Sequence, residues 1–235
     1  MIFNIVVLTT VLWSVYGADN CDISSQLLAT VLSINTQRYD HTKHILNQVG
    51  FNVSRFNPER EVHSTDMKVY SNLRAFEKAI QLFVKGDSEN SDWMFFMEDD
   101  LAINPSLNTE QAKSAIMKLQ ELARFDGIAY LGICGPSCDD CSTSTDDGIT
   151  FQRCSGNCAH AFGITKEKSK ILMPLIHHFK SILEPMTPIY FDQLLHMYGD
   201  RVHSIWVAGT DLRSPLDAGH VGIFFQNREL FPSSI

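Results

Sequence analysis

Neither a Gly-x-Gly-x-x-Gly fingerprint nor a Walker-type glycine loop occurs in the 235 residues, so the two commonest backbone cradles for phosphate are missing. Basic residues are also scarce: 19 Lys and Arg stand against 27 Asp and Glu, a formal net charge of -8. That balance argues against a nucleic-acid partner, whose backbone is gripped by clustered cations. The chain has no internal repeat, no low-complexity tract and, beyond its N-terminus, no apolar run of membrane-spanning length. With 44% hydrophobic and 20% charged residues, it has the composition of an ordinary folded protein with little room for long disorder.

The N-terminus reads as a separate unit. Ile5 to Val15 is largely apolar and too short to span a bilayer comfortably, and it leads into Val15-Tyr16-Gly17, whose small last residue suits signal-peptidase cleavage. Residues 1–17 are therefore expected to be a secretory signal, with a short uncleaved anchor as the alternative. Residues 18–235 are expected to form one domain without a stable membrane span, in the ER or Golgi lumen or secreted. The sequon Asn52-Val53-Ser54 makes a glycoprotein compatible with that route.

All six cysteines lie beyond the signal, and five of them, Cys134, Cys138, Cys141, Cys154 and Cys158, fall within 25 residues. Cys138-x2-Cys141 with Cys154-x3-Cys158 has the look of a four-thiolate zinc site, but an oxidising compartment favours disulfides. Spacing alone leaves the connectivity open.

Strand and helix signals alternate along most of the chain. Leu27 to Ile34 reads as a strand, Arg38 to Val49 as a helix stopped by Gly50, and Phe51 to Phe56 as a second strand. Asp66 to Lys85 carries Val69, Leu73, Phe76, Ile80 and Phe83 at helical spacing. Trp93 to Met97 is a third strand, apolar on both faces, and Asn108 to Arg124 another helix before a strand over Gly127 to Ile133. Cys134 to Cys158 reads as a long disulfide-held loop. A short strand, Ala159 to Ile164, and a helix from Lys166 to Phe179 interrupted at Pro174 follow. A helix over Ile189 to Tyr198 and a strand over Val202 to Val207 come last; the tail from Asp211 shows no period. This succession predicts an α/β fold, a three-layer α/β/α sandwich with a mostly parallel central sheet and a disulfide-rich loop.

Such sheets bind ligands beyond the carboxyl ends of their strands. The third strand ends there in Glu98-Asp99-Asp100, three carboxylates that resist burial unless a cation or donors compensate them. A divalent metal carrying a phosphorylated ligand answers that need, against the plainer reading of a solvated acidic turn. His160 on a short apolar strand reads equally as a satisfied core histidine or a substrate contact, His177-His178 as solvated, and Trp206 as core.

Several blocks, in order, resemble the glycosyltransferases of family 25, the group containing bacterial lipopolysaccharide glycosyltransferases and collagen galactosyltransferases. They are Ser33 to Arg38, Val69 to Phe76, Met97 to Leu101, Ala159 to Thr165 and Ile189 to Leu195, with weaker echoes in Gly222 to Gln226 and Ser233 to Ile235. The chain departs from the family at Ser71-Asn72, where members show Ser-His, and in its cysteine-rich loop. The resemblance implies a GT-A-like fold. It also implies a metal-assisted, inverting transfer of a hexose from a UDP-sugar to a glycan or glycoprotein hydroxyl. Asp100 would hold Mn²⁺ or Mg²⁺, with His220 as a late ligand, while Asn35, Arg38 and Glu98 would face the donor. Asp192 would be the general base, with Asp99 its rival. The alternative is a secreted, non-catalytic binding protein on the same fold.

Overall fold

A computed structural model of the chain describes residues 26–58, 65–86, 91–146, 148–183, 190–195, 205–209, 220–227 and 229–231. Residues 1–17, expected to be a secretory signal, and Cys21 lie outside them. The first unit is β1 (Leu27–Leu32), α1 (Thr36–Gln48) and β2 (Phe51–Phe56), followed by α2 (Thr65–Lys85) and β3 (Trp93–Met97). Both β2 and β3 pair with β1 in parallel, one on each side. Next come β4 (Leu101–Ile103), α3 (Thr109–Leu122), β5 (Ile128–Asp146), β6 (Ile149–Thr165) and α4 (Lys166–Leu183). A short helical segment at 191–195 precedes β7 (Ile205–Gly209), β8 (His220–Gly222) and β9 (Phe224–Gln226).

The main sheet runs β2-β1-β3-β6-β7-β5-β8. Five of its seven strands point one way, with β6 and β8 running against them. Helices cover both faces, and alternation along β3 shows why that strand is apolar throughout. Phe96 enters a core with Leu73, Phe76, Ile80 and Phe83 of α2 and Leu172 and Ile176 of α4. Phe95 and Met97 enter the opposite core, with Leu46 of α1 and Ala115, Ile116 and Leu119 of α3. The expected α/β/α sandwich is thus present. Among the described residues no helix is long and apolar enough to cross a membrane.

Three sequence readings need correction. Cys134 to Cys158 is not a loop: β5 and β6 continue through it as one bulged antiparallel hairpin, and β8 and β9 form in the tail. Disulfides Cys134–Cys158 and Cys138–Cys154 staple that hairpin, which bears out the expected disulfides over the zinc alternative. Pro174 does not interrupt α4, which runs on to Leu183. Its ring stands on the exposed side, and the carbonyl it deprives of a partner belongs to exposed Lys170, where water can satisfy it.

Gly132 is set by close approach. A Cβ on Gly132 would collide with both His160 Nε2 and the Phe224 carbonyl, groups that bond each other at 3.2 Å. Gly132→Ala is therefore expected to cost about 3 kcal/mol or more, the upper range for overpacking. Urea denaturation checks this, and a loss below about 1 kcal/mol would show that the His160 contact can shift aside.

Candidate functional site

Because β1 and β3 are parallel neighbours in the register Val31 to Met97, the residues leaving their carboxyl ends emerge side by side. Ser33 Oγ donates to Asp99 Oδ2 at 2.5 Å. Asn35 caps α1, its Oδ1 accepting from the Arg38 backbone N–H at 3.2 Å. The cap starts the helix where its first turn swings Arg38 back over the sheet edge. Arg38 Nη2 then meets Asp99 Oδ1 at 2.8 Å and Asp100 Oδ2 at 3.0 Å.

Two further strands fix the motif. Met97 pairs with Ala161 of β6, and one step on, the Glu98 N–H donates to the His160 carbonyl at 2.9 Å. Leu101 pairs with Gln226 of β9, the Asn227 N–H donates to the Asp100 carbonyl at 2.7 Å, and the Gln226 amide donates to Glu98 Oε2. Phe231 covers α1, lying 5.5 Å from the Arg38 guanidinium and 5.0 Å from the His41 ring. From the other side, the 191–195 segment brings in Asp192, whose Oδ2 accepts the Cys158 N–H at 2.9 Å.

Four carboxylates thus share one region, where the Arg38 guanidinium contacts two of them. The consequence appears at Glu98, whose carboxyl is pushed up to about 8. Burial is the main cause and the charge of Asp100 the next; the Gln226 hydrogen bond opposes them, and Asp192 and Asp99 add further repulsion. Carboxylates gathered in this way offer hard oxygen donors of the kind that Mg²⁺ and Mn²⁺ prefer. Among the described residues no three His, Cys, Asp or Glu groups stand ready to hold a metal. Arg38 now lies between Asp99 and Asp100, the place a cation would compensate.

Of the residues singled out in the sequence, Arg38, Glu98, Asp99, Asp100 and Asp192 come together here. Asn35 supports them through the helix start. The His220 backbone lies on β8 opposite Cys134, and its side chain is outside the described residues. His160 is fully buried and Trp206 half-buried under Arg153, while His177 and His178 are exposed. Sequence reasoning missed Ser33, His41, Gln226, Phe231 and the Cys158 N–H. Only Ser33 and Gln226 carried a signal, as members of the resembling blocks.

No family model matches the sequence, and no curated protein matches it. Among solved structures, one similar chain is a glycosyltransferase involved in the glycosylation of the major capsid of PBCV-1. It is 11% identical, with a TM-score of 0.45, and the match covers 76% of this chain and 78% of that one. Another is 4-diphosphocytidyl-2C-methyl-D-erythritol synthase from Anaerococcus prevotii DSM 20548, at 10% identity and a TM-score of 0.33, covering 79% and 88%. Likenesses this distant carry no argument about the chemistry of this chain.

Proposed function

We propose that this chain is a GT-A-type glycosyltransferase moving a hexose from a UDP-sugar to a hydroxyl of a glycan or glycoprotein, with inversion. The observation that carries the reading is the gathering of Glu98, Asp99, Asp100, Asp192 and Arg38 at the carboxyl edge of β1 and β3, where α/β sheets bind ligands. The sequence blocks that resemble family 25 supply these same residues.

In this reading Asp192 takes the proton from the acceptor hydroxyl while its oxygen attacks the anomeric carbon and UDP departs. Asp99 is the weaker candidate, because its two oxygens are already engaged by Ser33 and Arg38. Arg38 keeps a permanent positive charge beside the donor diphosphate and fixes the orientation of both aspartates. A divalent cation held by Asp100 and His220 would supply Lewis-acid stabilisation to the leaving diphosphate. Glu98, protonated over most of the neutral range, orients Gln226 and limits the charge that the cluster carries.

Arg38 also gives the second reading its support. A guanidinium that already neutralises Asp99 and Asp100 is what a metal-free binding module on this fold would use. One experiment separates the two: the melting temperature with UDP and Mn²⁺, with UDP and EDTA, and the release of UDP from UDP-hexoses. A donor at a hundred times its Kd stabilises by about 2.7 kcal/mol. The transferase is expected to show that stabilisation with Mn²⁺ and to release UDP, and Asp100→Ala to lose roughly 100-fold or more of the release. Absence of any UDP-dependent shift, together with no UDP release, would leave the binding module.

A further inference from the structure

We infer that the Cys134–Cys158 disulfide is a positioning element for Asp192: it aims the backbone amide that orients the candidate base. The inference rests on the transferase reading and assigns the cysteine hairpin a part in it. Cys158 donates its N–H to Asp192 Oδ2 at 2.9 Å. It does so from φ 58, a left-handed conformation that residues bearing a Cβ seldom adopt, and it is the one non-glycine residue with positive φ among those described.

What holds Cys158 there is its own side chain. Its Sγ is bonded to Cys134, and Cys134 is fixed in the sheet by pairing with Asn157 on one side and His220 on the other. Gly156 lets β5 and β6 approach beside this pair, since a Cβ there would press on the Cys134 carbonyl and the Ile133 side chain. Asp192 is anchored from the opposite direction. Its neighbour Phe191 is fully buried and stacks on Phe76 of α2 with ring centroids 4.5 Å apart. Two independently fixed elements therefore meet at one hydrogen bond, and the disulfide sets the direction of its donor. A carboxylate with one oxygen held by a fixed amide has its remaining geometry settled before substrate arrives.

The second disulfide differs. Cys138 and Cys154 sit directly opposite each other on β5 and β6, so that bond braces the hairpin itself. It supplies the control. The full chain is compared as wild type, Cys134→Ala/Cys158→Ala, Cys138→Ala/Cys154→Ala, Asp192→Asn, and the first pair combined with Asp192→Asn. Steady-state transfer is measured with a UDP-hexose well below each melting temperature. Cys134→Ala/Cys158→Gly serves if the alanine pair does not fold, because glycine accepts φ 58 without strain.

The expected result is a kcat at least tenfold lower on loss of the Cys134–Cys158 bond, with the donor KM within twofold of wild type. Loss of the Cys138–Cys154 bond should leave kcat within twofold. Combination with Asp192→Asn should give no loss beyond that of Asp192→Asn alone, since the disulfide acts through that carboxylate. Additive losses, or equal losses from the two disulfides, would overturn the positioning role while leaving the transferase reading intact. No transfer by the wild type would overturn both.

Discussion

Arg38→Met is expected to lower stability by about 3 kcal/mol, the lower end of the cost of breaking a buried ion pair from one side. For a domain of this size that corresponds to a melting temperature lower by roughly 6–12 °C. The side chains of Arg38, Asp99 and Asp100 keep only 21%, 14% and 11% of their surface, so water replaces the lost guanidinium poorly. Methionine preserves most of the packing against Phe231 and removes the charge. The second half of the expectation is specific to the site. Millimolar Mn²⁺ should return more stability to Arg38→Met than it adds to the wild type, because a divalent ion then meets Asp99 and Asp100 without a competing cation. Scanning calorimetry with Mn²⁺ and with EDTA reads both effects. Equal gains in the two proteins would show that Arg38 and a metal do not share this charge.

The pH dependence of stability should change shape in Glu98→Gln. Folded Glu98 titrates at about 8 against an ordinary 4.5, so the folded state holds the proton more tightly than the unfolded chain does. Between those two pH values folding takes up a proton, and stability contributed at acid pH is lost as pH rises. The slope is at most about 1.4 kcal/mol per pH unit, and it vanishes above the folded value. Glutamine keeps an oxygen to accept the Gln226 hydrogen bond and removes the charge that Asp100, Asp192 and Asp99 repel. In EDTA, Glu98→Gln should gain steadily on the wild type from pH 5 to pH 8 and then run parallel to it. Urea midpoints across that range provide the measurement, and parallel curves throughout would contradict an enclosed, repelled carboxyl.

The local pattern was legible wherever one segment carries its own period. The α2 stripe of Leu73, Phe76, Ile80 and Phe83 is buried as its spacing predicts, and β2 and β3 have the limits that their apolar runs and breakers imply. The cysteine hairpin was illegible for a physical reason. Its strands are held by backbone pairing and two disulfides, so they need no hydrophobic alternation, and Ser, Thr, Gly and Asp there look like loop. β4 and β9 are three residues each and exist only because Leu101 and Gln226 meet across the fold.

The sequence by itself determined the alternation of strand and helix, the apolar core of β3, and the placing of three carboxylates at its end. Those follow from side-chain period and from the cost of burying charge, both readable one segment at a time. Only the tertiary structure decided what those carboxylates face. Arg38 reaches two of them from a helix begun by Asn35, Gln226 arrives from the far end of the chain, and a disulfide-held amide takes Asp192. Contacts between residues so distant in sequence leave no local period, because their partners are chosen by sheet order and register.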